Sequence, residues 1–207
     1  MSDAGRRPRW PGADLPGRRL FYAVPIPQPA IEEIAQVVAD VRAQGVPGGG
    51  RDVRWVRLEG LHLTLRFLGP TVEEGIPDVA AAVDRAAAAI EPFEVAIGGA
   101  GAFPSVARPR ALWLGVTAGA NELGAAARIL DDRLAEVDWS RDDRAYRAHL
   151  TLARSDGVRA GPEVARRLIA AAEGFETRFQ AESLVLFESI SGGGPARYEP
   201  LHQARLG

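Results

Sequence analysis

The chain has no cysteine, no lysine and only three histidines in 207 residues. The first absence excludes a disulfide framework and any thiolate metal site, and it suits a reducing compartment such as the cytoplasm. The second means that all 25 basic residues are arginine. A GC-rich genome is the simplest source of that bias, but it leaves the chain rich in planar forks that fit phosphate oxygens. Neither sign of charge prevails: a net value of −2 gives no bulk attraction to nucleic acid. No apolar run comes near the ~18 residues that span a bilayer. The opening stretch MSDAGRRPRWPGADLPGRR lacks the apolar core expected of a secretory signal.

What is present suits an ordinary globular chain. With 46 % hydrophobic and 25 % charged residues, it can bury a core without staples. Residues 1–18 are rich in Arg, Pro and Gly without a period and read as a disordered or loosely packed arm. From 19 to 207, strand-like and helix-like segments alternate. RLFYAVPIP (19–27) is an apolar strand closed by prolines. Over 29–45, Ile31, Ile34, Val37, Val38 and Val41 recur at helical spacing, with Gly45 as the stop. One or two strands are expected over 53–69. A helix over 71–90 follows, with Thr71 and Glu74 resembling a capping box, then a strand over 93–103. The same order returns as strand 111–116, helix 120–138, strand 143–154, helix 161–174 and strand 179–190, with a last short strand over 198–206. A pattern of strand, helix, strand, helix, strand is therefore written twice. It predicts one bilobal domain over 19–207 with pseudo-twofold halves, about 19–105 and 106–207, each a sheet covered by helices on one face.

The word HLTL stands at 62–65 and again at 149–152, in equivalent strands of the two halves. Alternate residues of a strand share a face. His62 and Thr64 therefore point one way and Leu63 and Leu65 the other; His149 and Thr151 oppose Leu150 and Leu152. If the halves pack about a twofold axis, two imidazoles and two hydroxyls converge on one cleft. Such a set suits metal-independent hydrolysis of a phosphodiester. One neutral imidazole takes a proton from the attacking oxygen, and an imidazolium gives one to the leaving oxygen. The threonines donate hydrogen bonds to non-bridging phosphate oxygens.

A single HxT is often no more than the polar face of a half-buried strand. Two copies at matching places, using two of three histidines, point to a site. The third, His202, has no such partner and reads as a structural or surface residue. No HxH, HExxH or ligand cluster of the kind zinc prefers is present, so neither metal nor cofactor is expected. The glycine clusters at 47–50 and 191–195 lack P-loop spacing and read as loops.

With RLFYAVPIP, HLTLRFLG, FPSVARPRALWLGV, HLTLAR and LVLFESISGGGPARYEPL in this order, the sequence resembles the 2H phosphoesterases. Within them it is similar to the RNA 2′,3′-cyclic phosphodiesterases, also called 2′-5′ RNA ligases. The resemblance covers 19 to about 206. It implies an α+β fold with two antiparallel sheets flanking a cleft, and opening of RNA 2′,3′-cyclic phosphate ends to 2′-phosphates. It implies His62 as proton donor to the departing 3′ oxygen and His149 as proton acceptor from water. Thr64, Thr151 and Arg154 would bind substrate. Parity alone turns Arg154 away from Thr151, so the strand must end or bulge between them. Arg66 shares a face with His62 and reads as a solvated residue, with a phosphate contact as the alternative. Ala148 stands where the family often has proline.

The expected partner is RNA with a 2′,3′-cyclic phosphate or 2′-phosphate end, acted on by a monomer with no membrane segment. Two other readings stay open: a phosphodiesterase for a small cyclic nucleotide, and a module that binds RNA ends without turnover. Phe21, Tyr22, Phe67 and Trp113 could stack on bases, although each reads first as core.

Overall fold

The computed structural model describes residues 17–45, 52–155, 159–192 and 195–207. The predicted arm up to residue 16 and the glycine cluster at 47–50 lie outside the described residues. The elements are β1 (Arg18–Pro25), α1 (Gln28–Ala43), β2 (Val53–Trp55), β3 (His62–Thr71), α2 (Ile76–Ala87), β4 (Phe93–Phe103) and β5 (Ala111–Ala118). They continue with α3 (Ala120–Ala135), β6 (His149–Ser155), α4 (Gly161–Ala171), β7 (Glu176–Ala181), β8 (Ser183–Ile190) and β9 (Arg197–Arg205). One sheet runs β3-β1-β8-β9, the other β2-β6-β5-β4-β7, and every neighbouring pair is antiparallel. The α+β fold with two antiparallel sheets and outer helices is as expected.

Neither sheet is one half of the chain. β1 and β3 are joined by β8 and β9 from the C-terminal half, and β5 and β6 are joined by β4 from the N-terminal half. The order β3-β1-β8-β9 matches β6-β5-β4-β7 strand for strand, with β2 added at the edge. The helices cross over as well. α1 packs on α4 and β7, α3 packs on α2 and β3, α4 on β4, and α2 on β8 and β9. The repeat is thus closed by exchange, and each sheet needs both halves of the sequence.

Local chemistry accounts for most elements. In α1 the five periodic aliphatics and Ala30 are the buried face, and a proline opens the first turn. Leu20, Tyr22 and Val24 of β1 enter the main core, and the Tyr22 hydroxyl donates to the Val79 carbonyl at 2.6 Å. The opposite face of the same sheet carries a second cluster of Phe21, Ala23, Val185 and Phe187, with Tyr198 against it.

Four expectations fail at boundaries. The single strand over 179–190 is two, β7 and β8, which belong to different sheets; the crossover lies at Glu182. A continuous alternating pattern does not record that change of sheet. Thr71 does not cap a helix. It ends β3 opposite Arg18, and α2 starts at Ile76 with no side-chain cap. The strand over 143–154 begins only at His149. The arm ends earlier than expected, because Arg18 already belongs to β1, with its guanidinium 2.6 Å from Glu188.

Candidate active site

His62 opens β3 and His149 opens β6. Burial along both strands alternates as parity requires: Leu63, Leu65, Leu150 and Leu152 are buried, and His62, Thr64, His149 and Thr151 are only partly so. All four polar residues line one cavity of about 1590 Å³, to which both sheets contribute. The two motifs therefore do come together. Neither threonine hydroxyl is taken up by a hydrogen bond among the described residues.

Both imidazoles are anchored in the same way. His62 Nδ1 lies 2.6 Å from the Gly60 carbonyl oxygen, and His149 Nδ1 lies 2.7 Å from that of Arg147. A carbonyl oxygen only accepts, so Nδ1 carries a proton and donates it. Nε2 is then the nitrogen left outside this anchor: bare and basic in the neutral ring, an N–H acid in the charged one. The anchor sits two residues before each histidine. It is a backbone atom, so no residue type in the sequence marks it.

The surroundings of the two rings differ. His62 packs on Phe21 at 4.7 Å and Phe187 at 5.7 Å, with Tyr198 edge-on at 4.7 Å. Burial among these rings lowers its pKa to about 4, against the opposing pull of the Gly60 carbonyl. Among the described residues His149 has one aromatic neighbour, Phe103, edge-on at 5.0 Å, and the Arg147 guanidinium lies over that same ring. Arg128, Arg147 and Arg154 line the cavity and have no ion pair among the described residues.

The register explains Arg154. Trp113 pairs with Thr151 and Leu112 with Ala153, so Leu152 is one residue too many for its partner strand. This is a β-bulge. Leu152 and Ala153 are both buried, parity inverts, and Arg154 returns to the cavity side. The same slip occurs in β3, where Tyr22 pairs with Arg66 and Ala23 with Thr64, leaving Leu65 unpaired. The residue three beyond the threonine, equivalent to Arg154, is there Phe67.

Arg66 is neither solvated nor free for phosphate. Its Nε donates to Asp131 at 2.6 Å, its Nη2 to the Ser140 carbonyl at 2.5 Å, and its side chain is only 10 % exposed. It also reaches Asp142 at 3.4 Å. The Asp142 carboxyl is held at about 2, chiefly by the hydrogen bond from Arg144, with Arg66 adding to the effect. These contacts tie β3 and α3 to the segment before His149.

Of the four aromatic candidates, Phe21 and Tyr22 are fully buried and Trp113 is half-buried, whereas Phe67 is 52 % exposed. Phe103, Phe187 and Tyr198, missed from sequence, form the histidine surroundings. His202 lies elsewhere, with Nε2 2.7 Å from Asp84. Among the described residues no three His, Cys, Asp or Glu group as metal ligands, and no helix is long and apolar enough to cross a membrane.

Comparison with known proteins gives the same direction. An RNA 2′,3′-cyclic phosphodiesterase of Archaeoglobus fulgidus is 33 % identical over 147 residues, which is 71 % of this chain and 77 % of that protein. One from Aeropyrum pernix is 29 % identical over 84 % of this chain and 96 % of its own length. The crystal structure of Escherichia coli LigT complexed with 3′-AMP superposes with a TM-score of 0.69 at 26 % identity, covering 91 % of this chain and 98 % of LigT. Residues 27–193 match the 2′-5′ RNA ligase superfamily. With that match over most of its length, and the paired HLTL strands on one cavity, the chain belongs to the 2′-5′ RNA ligase superfamily.

Proposed function

We infer that the protein hydrolyses RNA 2′,3′-cyclic phosphate ends to 2′-phosphates by two-histidine acid–base catalysis. The observation that carries this reading is the matched pair of Nδ1 anchors, which leaves two Nε2 atoms for chemistry in one cavity. Water attacks phosphorus and gives its proton to His149 Nε2. The bond from phosphorus to O3′ breaks, and O3′ takes a proton from His62 Nε2–H. The phosphate stays on O2′. Thr64 and Thr151 donate to the non-bridging oxygens, and Arg154 offsets their charge.

His62 is neutral in the free protein at pH 7 because burial favours the uncharged ring. The anionic substrate supplies the charge that stabilises its imidazolium, so the acid is made on binding. If the 5′-hydroxyl of a second RNA replaces water, the same steps form a 2′-5′ linkage. The enzyme acts as a monomer, and the lack of cysteine is in keeping with the cytoplasm. A module that only holds RNA ends would not need two proton carriers with fixed tautomers.

The test is a short RNA ending in a 2′,3′-cyclic phosphate, with EDTA present. The wild type is expected to form a 2′-phosphate, and His62→Ala and His149→Ala to form almost none. A 3′-phosphate product, or full activity in either variant, would overturn the reading.

A further inference from the structure

β1 opens with two arginines in different circumstances. Arg18 shares a face with Leu20 and Tyr22, and there Glu188 lies at 2.6 Å and Glu73 at 3.5 Å from its guanidinium. Arg19 turns the other way, is exposed and lines the cavity. Among the described residues it has neither an ion pair nor a hydrogen bond. Register sets it level with hydroxyls. Leu20 pairs with Glu188, so Arg19 stands opposite Ser189, and Ser189 pairs in turn with Tyr198. Ser189, Ser191 and Tyr198 line the same cavity, and neither serine hydroxyl has a partner among the described residues. The carboxylates of the cavity do not serve Arg19: among the described residues these are Asp131 and Asp142, and Arg66 pairs with both.

An unpaired guanidinium beside free hydroxyls suits an anion with several acceptor oxygens. That anion is not the one at the histidines. Ala23 pairs with Thr64, and Arg19 lies four residues back along β1, about 13 Å at ~3.3 Å per residue. The arginine side chain spans part of that distance, which leaves the step from one phosphate to the next along a strand of RNA. The cavity has the room, since about 1590 Å³ exceeds the ~300–1000 Å³ that a small ligand fills. We propose that Arg19, with Ser189 and Ser191, binds the phosphodiester on the 5′ side of the substrate's terminal nucleotide. The proposal rests on reading the cavity as an RNA-end site, and it narrows the substrate. An RNA chain carries that second anion, and a lone nucleoside cyclic phosphate does not.

Titration calorimetry with three ligands tests this directly: adenosine 2′-monophosphate, the dinucleotide ApA ending in a 2′-phosphate, and the same dinucleotide with a neutral methylphosphonate linkage. The wild type is expected to bind the charged dinucleotide most tightly. Arg19→Gln should weaken that ligand about tenfold and leave the other two unchanged, which also reports an intact fold. Equal loss for all three ligands would put Arg19 at the terminal phosphate or in the fold, and would overturn the proposal. So would no loss for any of them. A loss shared by both dinucleotides would overturn it too, since that would mean a contact with the upstream sugar or base. Because the readout is binding, a wild type that prefers the charged dinucleotide without turning over a cyclic phosphate would refute the proposed reaction and leave the subsite standing. Turnover without that preference would do the reverse.

Discussion

Around His62 the wall is made of rings, Phe21, Phe187 and Tyr198; around His149 it is one ring and a set of arginines. The two strands otherwise agree in sequence, in the carbonyl that anchors Nδ1 and in the position of the bulge. What is common to both halves is the arrangement that sets an anchored imidazole and a threonine hydroxyl on a sheet face. What differs is the dielectric and the charge around it. A desolvated imidazole resists protonation until an anion arrives, whereas the more open one stands beside arginines that have no ion pair among the described residues. The two halves repeat the parts, and the neighbouring strands give each ring different surroundings.

The largest effects should come from removing either proton carrier. His62→Ala and His149→Ala are each expected to lower single-turnover rates on a cyclic phosphate end by about 10²- to 10⁴-fold. If the halves have separate roles, a substrate with a leaving group that needs no protonation should rescue His62→Ala and not His149→Ala. Rescue of both, or of neither, would break the comparison. Next in size, Thr64→Val and Thr151→Val should each cost on the order of 10²-fold in kcat, with KM changed less.

A third test compares the two imidazoles by NMR titration. His62 should titrate near pH 4 in the free protein and move upward when inorganic phosphate is added. Its folded pKa lies below the ordinary 6.5, so the unfolded chain binds that proton more readily. Stability contributed by neutral His62 is therefore full above pH 6.5 and lost as pH falls toward 4, by up to about 3 kcal/mol. Urea midpoints across that window should fall less steeply in His62→Gln. An equal slope would show that the burial has no such consequence.

The smallest effect concerns the tie between the halves. Arg66→Met removes donors from Asp131 and the Ser140 carbonyl and should cost about 2 kcal/mol of stability. It should raise KM more than it lowers kcat, since Arg66 holds the segment before His149 and meets no reacting atom. A drop confined to kcat would instead place Arg66 at the phosphate.

Much of this arrangement was legible beforehand because strand periodicity is local. The alternation in HLTL gives the faces of His62 and Thr64 without any tertiary knowledge, and the aliphatic period of α1 gives its buried side. Arg154 shows where the local rule strains: parity turned it away from Thr151, and the bulge at Leu152 turns it back. Arg66 shows where the rule stops, because Asp131 and Asp142 are distant in sequence. The crossover at Glu182 was hidden for a related reason. β7 and β8 carry compatible patterns, and only their pairing partners, β4 and β1, separate them.

By itself the sequence determined the repeat, the two histidines and two threonines, and the side of the strand each occupies, since these follow from chain geometry over a few residues. Only the tertiary structure decided which half each strand would join, which histidine would be enclosed by rings, which nitrogen would be anchored and that Phe67 would stand open to the cavity. Those outcomes depend on strand pairing, on backbone carbonyls and on exclusion of water by residues far apart in the chain, and none of these leaves a mark in a short stretch of sequence.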